Sequence, residues 1–242
     1  MNIKTWSIFL ISASLSNIEL YFTPEDIIDN QLILHGEEFN HAVKVMRHSE
    51  GGIIYITTGK GRIYKSEINN ITRQELIADV LEVYSFENRM KNIYFCLPKL
   101  KSQERFEFAL EKCVELGITN FIVFESERCI AKGERLERWQ KIIISAMKQS
   151  LRSYLPELET VKSLNQIISL EGLKILFEQN SDKSFKDFKI DTDRKYFFLF
   201  GPEGGFSDEE IKLVKEGERY KLGNNRLRSE TAITTVAALL TA

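Results

Sequence analysis

Four short, almost uninterrupted apolar runs constrain this chain of 242 residues more than any other feature. Ile93 to Leu97, Phe121 to Phe124, Leu173 to Phe177 and Tyr196 to Phe200 lack the alternation of a strand with one wet face. They fit strands covered on both faces of a parallel sheet. Helical patterns separate them. Ser102 is placed as an N-cap, Phe106, Ala109, Leu110, Cys113 and Leu116 recur at helical spacing, and Gly117 is placed to end the helix. Leu136, Trp139, Ile143, Ala146 and Met147 form a second apolar stripe. Ser207 and Glu210 spell a capping box, with Phe206 and Ile211 at the two positions of a hydrophobic staple. Strands alternating with helices predict a doubly wound α/β domain from about residue 89 to the end.

The preceding stretch has another rhythm. Glu19 to Phe22, Gln31 to Leu34, Ile53 to Thr57, Ile63 to Ile68 and Glu75 to Tyr84 read as strands, punctuated by Gly51-Gly52, Gly59-Lys60-Gly61 and Asn69-Asn70. One short helix, about Glu37 to Met46, interrupts them. Tight turns between five strands predict a small β-barrel over residues 18–88. Residues 1–17 read as an N-terminal extension, although Lys4 and the apolar stretch from Trp6 to Ile11 faintly resemble a short secretory signal.

Composition removes several classes. No run approaches the length of a membrane-spanning helix, so no membrane partner is expected. Cys96, Cys113 and Cys129 form no close pair and no CxxC, and His35, His41 and His48 lie well before them, so neither a disulfide framework nor a metal site is expected. The thiols suit a reducing cytoplasm. The net charge of −2 excludes a histone-like coating protein. It hides two basic segments, however. Arg128 to Arg152 carries seven basic and two acidic residues, and His41 to Arg73 carries six and two. Such segments can serve a selective RNA-binding enzyme without making the chain basic overall.

The chemistry concentrates near the C-terminus. Phe200-Gly201-Pro202-Glu203-Gly204-Gly205-Phe206-Ser207 follows an apolar strand and opens a capped helix, where open α/β sheets bind ligands. It lacks the Lys-Ser/Thr ending of a Walker loop and is not GxGxxG. Alone, it is as compatible with a plain strand-to-helix turn. A second segment, Leu222-Gly223-Asn224-Asn225-Arg226-Leu227-Arg228-Ser229-Glu230-Thr231-Ala232, leads into a terminal helix with Ile233, Val236, Ala237 and Leu240 on one face. Alone, Arg228 and Glu230 read equally as a surface ion pair, and the stripe as core or subunit interface.

Together, GPEGGFSxxE and LGxxxLRxETA resemble the C-terminal signature of the SPOUT methyltransferases. More narrowly, they resemble the family that methylates N3 of a uridine in 16S ribosomal RNA, uridine 1498 in the usual RNA numbering. Three upstream segments agree: His41 to Arg47, Glu111 to Gly117 and Ser126 to Cys129. So does Arg138-Trp139-Gln140-Lys141-Ile142 with Lys148 to Arg152. The likeness runs from about Ile18 to the end. Departures stand at Asn225, where the family usually has Arg and where Arg226 is next door, at Lys148, usually Glu, and at Leu151, usually Gly.

The resemblance implies a small N-terminal PUA-like β-barrel, residues 18–88. It is followed by a SPOUT α/β domain, residues 89–242, with a C-terminal trefoil knot. It implies S-adenosylmethionine as methyl donor, no metal, 16S rRNA or the small ribosomal subunit as partner, a homodimer and a cytoplasmic location. Its candidate cofactor-binding residues are Phe177, Leu199, Gly201, Glu203, Gly204, Leu222, Gly223, Leu227 and Thr231. Arg228 is the candidate for stabilising charge on the uracil carbonyls, and Glu230 for orienting Arg228 or accepting the proton. Candidate RNA contacts are Lys44, Arg47, Lys60 and Arg62 from the barrel, and Arg128, Arg138 and Arg152 from the second domain. Alternatives within this reading are another RNA target, such as a ribose 2′-oxygen, or a non-catalytic RNA-binding or assembly factor with the same fold.

Overall fold

The computed structural model describes residues 3–5, 18–131, 133–215 and 218–241. The chain divides into two units, Met1–Asn88 with Ile144–Leu155, and Arg89–Ile143 with Pro156–Ala242. Of the N-terminal extension, only Ile3–Thr5 lies within the described residues before Ile18.

The first unit is a six-stranded sheet. β1 (Ile3–Thr5), β2 (Leu20–Phe22), β3 (Gln31–His35), β4 (Ile53–Thr57), β5 (Arg62–Ile71) and β6 (Glu75–Ser85) run in the order β1-β6-β5-β4-β2, and β3 also pairs with β6. Where the sequence predicts a barrel, the hydrogen-bonded path among the described residues is open, ending at β1 and β2. β4, β5 and β6 form an antiparallel meander, and β5 pairs with β6 through two register shifts, at Lys65/Ser66 and Ile68/Asn70. Such bulges bend a strand and increase its twist. Tyr21, Leu32, Leu34, Phe39, Ile54, Ile56, Tyr64 and Ile68 fill the interior. The predicted single helix is α1 (Gly36–Asn40) followed by one π-helical turn, His41–Val45.

Ile144–Leu155 belongs with this sheet, although the sequence reading assigns it to the second domain. The Lys148 ammonium meets Glu38 Oε1 at 2.5 Å, and the Tyr154 hydroxyl donates to the Phe86 carbonyl at 2.9 Å. Leu151 adopts φ +56° and packs with Leu20 and Ile63. A left-handed backbone explains why glycine suits that position.

The second unit is a parallel sheet in the order β12-β10-β11-β7-β8-β9. Its strands are β7 (Ile93–Pro98), β8 (Asn120–Phe124), β9 (Glu157–Val161), β10 (Leu173–Phe177), β11 (Tyr196–Leu199) and β12 (Arg219–Tyr220). Helices α2 (Gln103–Glu115), α3 (Leu136–Gln149), α4 (Leu164–Ile168), α5 (Asp208–Lys212) and α6 (Ser229–Thr241) join or follow them. The predicted apolar runs become the buried centre. Phe95, Phe121, Phe124, Phe198 and Phe200 are all fully buried. Each such burial is worth about 1.5–3 kcal/mol. Ser102 caps α2 by accepting the Arg105 N–H at 3.4 Å, and Gly117, at φ +96°, follows the helix end. From β7 the chain steps outward through β8 and β9, then returns to build β10, β11 and β12 on the other side. The reversal lies between β7 and β11, the switch point where open α/β sheets bind ligands beyond the strand ends.

Candidate active site

A cavity of about 620 Å³ opens at that switch point. Its walls come from segments following the C-terminal ends of five strands: Arg105 after β7, Arg128 after β8, Phe177 to Asn180 at β10, the Gly201–Phe206 turn after β11, and the Leu222–Ser229 segment after β12. The two C-terminal motifs therefore share one hollow. Ser229 fastens them, its hydroxyl donating to the Gly201 carbonyl at 2.7 Å. Gln179 holds the second motif from below, its Nε2 donating to the carbonyls of Gly223 and Asn224, both at 3.0 Å.

The capping box is present in full. Ser207 Oγ accepts the Glu210 N–H at 3.1 Å, and Glu210 Oε2 accepts the Ser207 N–H at 2.9 Å. Glu210 also reaches outside its helix. Its Oε2 accepts the Ser126 hydroxyl at 2.9 Å, and Oε1 accepts the Glu127 N–H at 3.0 Å. This buried carboxylate thereby ties the Ser126–Cys129 segment to the glycine-rich turn. Arg128 lands on the cavity wall, its Nη1 donating to the Gly204 carbonyl at 3.2 Å.

Five of the nine candidate cofactor residues line the cavity: Phe177, Gly201, Glu203, Leu222 and Leu227. Gly223 lies between wall residues, and a Cβ added there would meet open space. A Cβ at Gly204 would instead press on Arg128 Cβ at 3.3 Å. Leu199 is fully buried in the core with Cys96, Ile122 and Leu176, and Thr231 is exposed in the first turn of α6, so neither forms part of the wall. Glu203 accepts the Lys101 N–H at 3.0 Å through Oε1. Arg226 lines the cavity beside the exposed Asn225 and donates to the Glu203 carbonyl at 3.3 Å.

Arg228 lines the cavity and is exposed. Glu230 is buried, and its ion-pair partner is Arg105, Nε to Oε1 at 3.6 Å, rather than Arg228. Glu230 Oε2 is buried with no hydrogen-bond partner. Arg105 is the main wall residue that sequence reasoning missed. Its signal was a cation in the first turn of a helix, where the macrodipole disfavours it.

Of the seven candidate RNA contacts, only Arg128 reaches this cavity. Lys44, Arg47 and Arg62 are exposed in the first unit, and Lys60 pairs with Asp26 at 2.5 Å. Arg138 is held by the buried Glu107 through Nε and Nη2, at 2.5 and 2.6 Å. Arg152 is half-buried, and burial pushes its guanidinium below its usual range.

Residues 87–241 match the family model described as the RNA methyltransferase domain. The chain belongs to this family. Residues 34–81 match a second model, the RNA methyltransferase PUA domain. Ribosomal RNA small subunit methyltransferase E of Bacillus subtilis is 29% identical over 216 residues, 81% of this chain and 84% of that protein. A solved structure of the Neisseria gonorrhoeae methyltransferase E, bound to S-adenosyl methionine, superposes with a TM-score of 0.82 at 26% identity, covering 93% of this chain and 97% of that one. A Legionella pneumophila structure in complex with the same cofactor gives a TM-score of 0.79 at 26% identity, covering 93% and 97%. The resemblance read from the C-terminal motifs is thus a family relationship that extends over most of the chain. Among the described residues there is no metal-holding cluster, and no helix is long and apolar enough to cross a membrane.

Proposed function

We propose that this chain transfers a methyl group from S-adenosylmethionine to N3 of a uridine in 16S ribosomal RNA of the small subunit. The observation that carries the reading is the convergence of both C-terminal motifs on one cavity at the switch point of the parallel sheet. The residues fit the donor. Phe177, Phe200, Leu222 and Leu227 offer apolar surface for a purine, and Gly223 leaves open space for close approach of backbone to ligand. Glu178, Glu203 and Asp208 bring carboxylates that can meet hydroxyls and an ammonium group. When bound, the donor supplies an electrophilic sulfonium methyl.

The chain's own contribution is alignment and charge. N3 of uracil becomes nucleophilic as its proton leaves, and negative charge then spreads onto the flanking carbonyl oxygens. Arg228 on the cavity wall stabilises that charge. Glu230, buried and paired with Arg105, acts by orientation. Arg128, held over the glycine turn, meets a phosphate beside the extruded base. Lys44, Arg47, Lys60 and Arg62 add backbone contacts from the residue 18–88 domain, Arg152 from the Ile144–Leu155 segment that belongs with it, and Arg138 from the second unit. The resemblance of the two C-terminal motifs to the SPOUT signature supports a C-terminal segment tucked as a trefoil knot. Exposed Phe108 on α2 and Leu239 on α6 support a homodimer, and three unpaired thiols suit a cytoplasmic protein.

Small-subunit RNA or particles incubated with labelled donor test the proposal. Mass spectrometry should place the label on N3 of one uridine. Label on a ribose 2′-oxygen would overturn the substrate, and no calorimetric donor binding would overturn the enzymatic reading.

A further inference from the structure

We propose that Arg105 is a further catalytic residue, which works with Arg228 on the two carbonyl oxygens flanking the reacting nitrogen. This rests on the uridine-N3 reading above. Three observations support it. First, Arg105 and Arg228 line the same cavity from different elements, the start of α2 and the segment before α6. Second, Arg105 stands where it does nothing for its own helix. It is the third residue of α2, and a cation in the first turn opposes the helix dipole. Third, its charge is balanced by a buried carboxylate whose hydrogen bonding is incomplete. Glu230 lies in the first turn of α6, nine-tenths buried, with Oε1 paired to Arg105 Nε and Oε2 without a partner. Buried carboxylates ordinarily collect several hydrogen bonds, so an under-satisfied one asks for a functional explanation. The pair is made through Nε, which leaves the terminal nitrogens of a side chain that is 41% exposed to serve the cavity.

The chemistry has a use for two cations. Uracil presents an imide, with N3 between two carbonyls. As the N3–H bond breaks, the proton passes to water and its electron pair spreads over N3 and both oxygens. That pair then forms the N–CH3 bond, while the pair of the broken S–CH3 bond stays on sulfur. One guanidinium per oxygen stabilises the anion on both sides and rejects bases with a hydrogen-bond donor at either position. Glu230 is the positioning residue. It fixes the Arg105 fork but does not touch the base.

The test is steady-state kinetics on small-subunit particles, with donor affinity measured separately by calorimetry. Arg105→Ala should lower kcat roughly 100-fold, the loss typical of one oxyanion donor. Donor Kd and RNA KM should stay within about threefold, which marks an interaction made only in the transition state. Arg105→Lys should recover part of kcat. Glu230→Gln should lower kcat by less than Arg105→Ala, and the double variant should be no slower than Arg105→Ala alone. Unaltered donor binding shows that each variant is folded. Arg105→Ala with kcat within threefold of the parent, or with a loss confined to RNA KM, would overturn this proposal and leave the uridine-N3 reading standing. A parent protein that methylates no uridine N3 overturns both.

Discussion

Replacing Glu210 should unfold more than a helix cap. Its carboxylate accepts three hydrogen bonds, from the Ser207 N–H at 2.9 Å, the Ser126 hydroxyl at 2.9 Å and the Glu127 N–H at 3.0 Å. The side chain is buried, so Glu210→Ala leaves those donors without their acceptor. Loss of the cap itself is worth about 1 kcal/mol. Each buried donor left unpaired adds about 1–3 kcal/mol. One of the three donors belongs to the cap and another lies where water can partly replace the carboxylate, so the whole loss should be about 3–5 kcal/mol. Glu210→Gln keeps one acceptor oxygen but turns an amide N–H₂ toward a donor, and should lose about half as much. Urea unfolding followed by circular dichroism measures this as a lower midpoint at unchanged slope. The same change loosens the Ser126–Cys129 segment, so RNA KM should rise as Arg128 leaves the cavity wall. Glu210→Ala within 1 kcal/mol of the parent would refute the reasoning, because it would show that the three bonds do not act together.

Other expectations are simpler to check. Gly61 has φ +85°, and a Cβ there would lie 2.4 Å from the Tyr154 ring. Gly61→Ala should therefore destabilise the first unit by about 2–4 kcal/mol in thermal unfolding, combining left-handed strain with overpacking. Lys148 faces Glu38 at 2.5 Å, with Glu19 and Glu37 lining the same hollow. Lys148→Glu should lower the melting temperature, and adding Glu38→Lys should restore only part of it, since the swap rebuilds the ion pair but takes away the carboxylate that accepts the Phe22 N–H at 3.1 Å. Burial raises the Cys96 and Cys113 thiols above the usual thiol range, which reduces the thiolate present at any given pH. At pH 8 both should resist iodoacetamide in the native protein and react only after unfolding, as read by mass spectrometry.

The second unit was legible because its strands are buried on both faces and its helices carry explicit ends. Ser102, Ser207 and Glu210 each perform the capping their positions announce. β9 escaped because it is an edge strand, and Glu157 and Glu159 break the apolar run that marks its neighbours. α4 has only five residues, too few to show a period. Nor can a helical stripe reveal its partner. Leu136 to Met147 reads as one amphipathic helix, yet Ile144–Leu155 belongs with the first unit. The site was half legible for a related reason. Residues inside the glycine turn and the terminal motif carry their own signal. Arg105 and Gln179 are ordinary residues after other strands, and only the sheet order brings them to the cavity.

The departures from the family pattern find local explanations in the structure. At 151 the backbone is left-handed, which suits glycine, yet leucine stands there. The strain of about 1–2 kcal/mol is offset by packing its side chain with Leu20 and Ile63. At 148 a lysine replaces the usual carboxylate, and its neighbourhood holds Glu19, Glu37 and Glu38, where a fourth carboxylate would be repelled. At 225 the usual guanidinium is missing, but Arg226 brings one to the same cavity and anchors it on the Glu203 carbonyl. Each change keeps a physical requirement while altering the residue that meets it. That pattern bears on the nearly neutral net charge as well. A cavity with Arg105, Arg128, Arg226 and Arg228 on its wall, against Glu178, Glu203 and Asp208, keeps a local excess of one positive charge in a chain whose total is −2, so an anionic strand can be met there by guanidinium groups whatever the total for the chain.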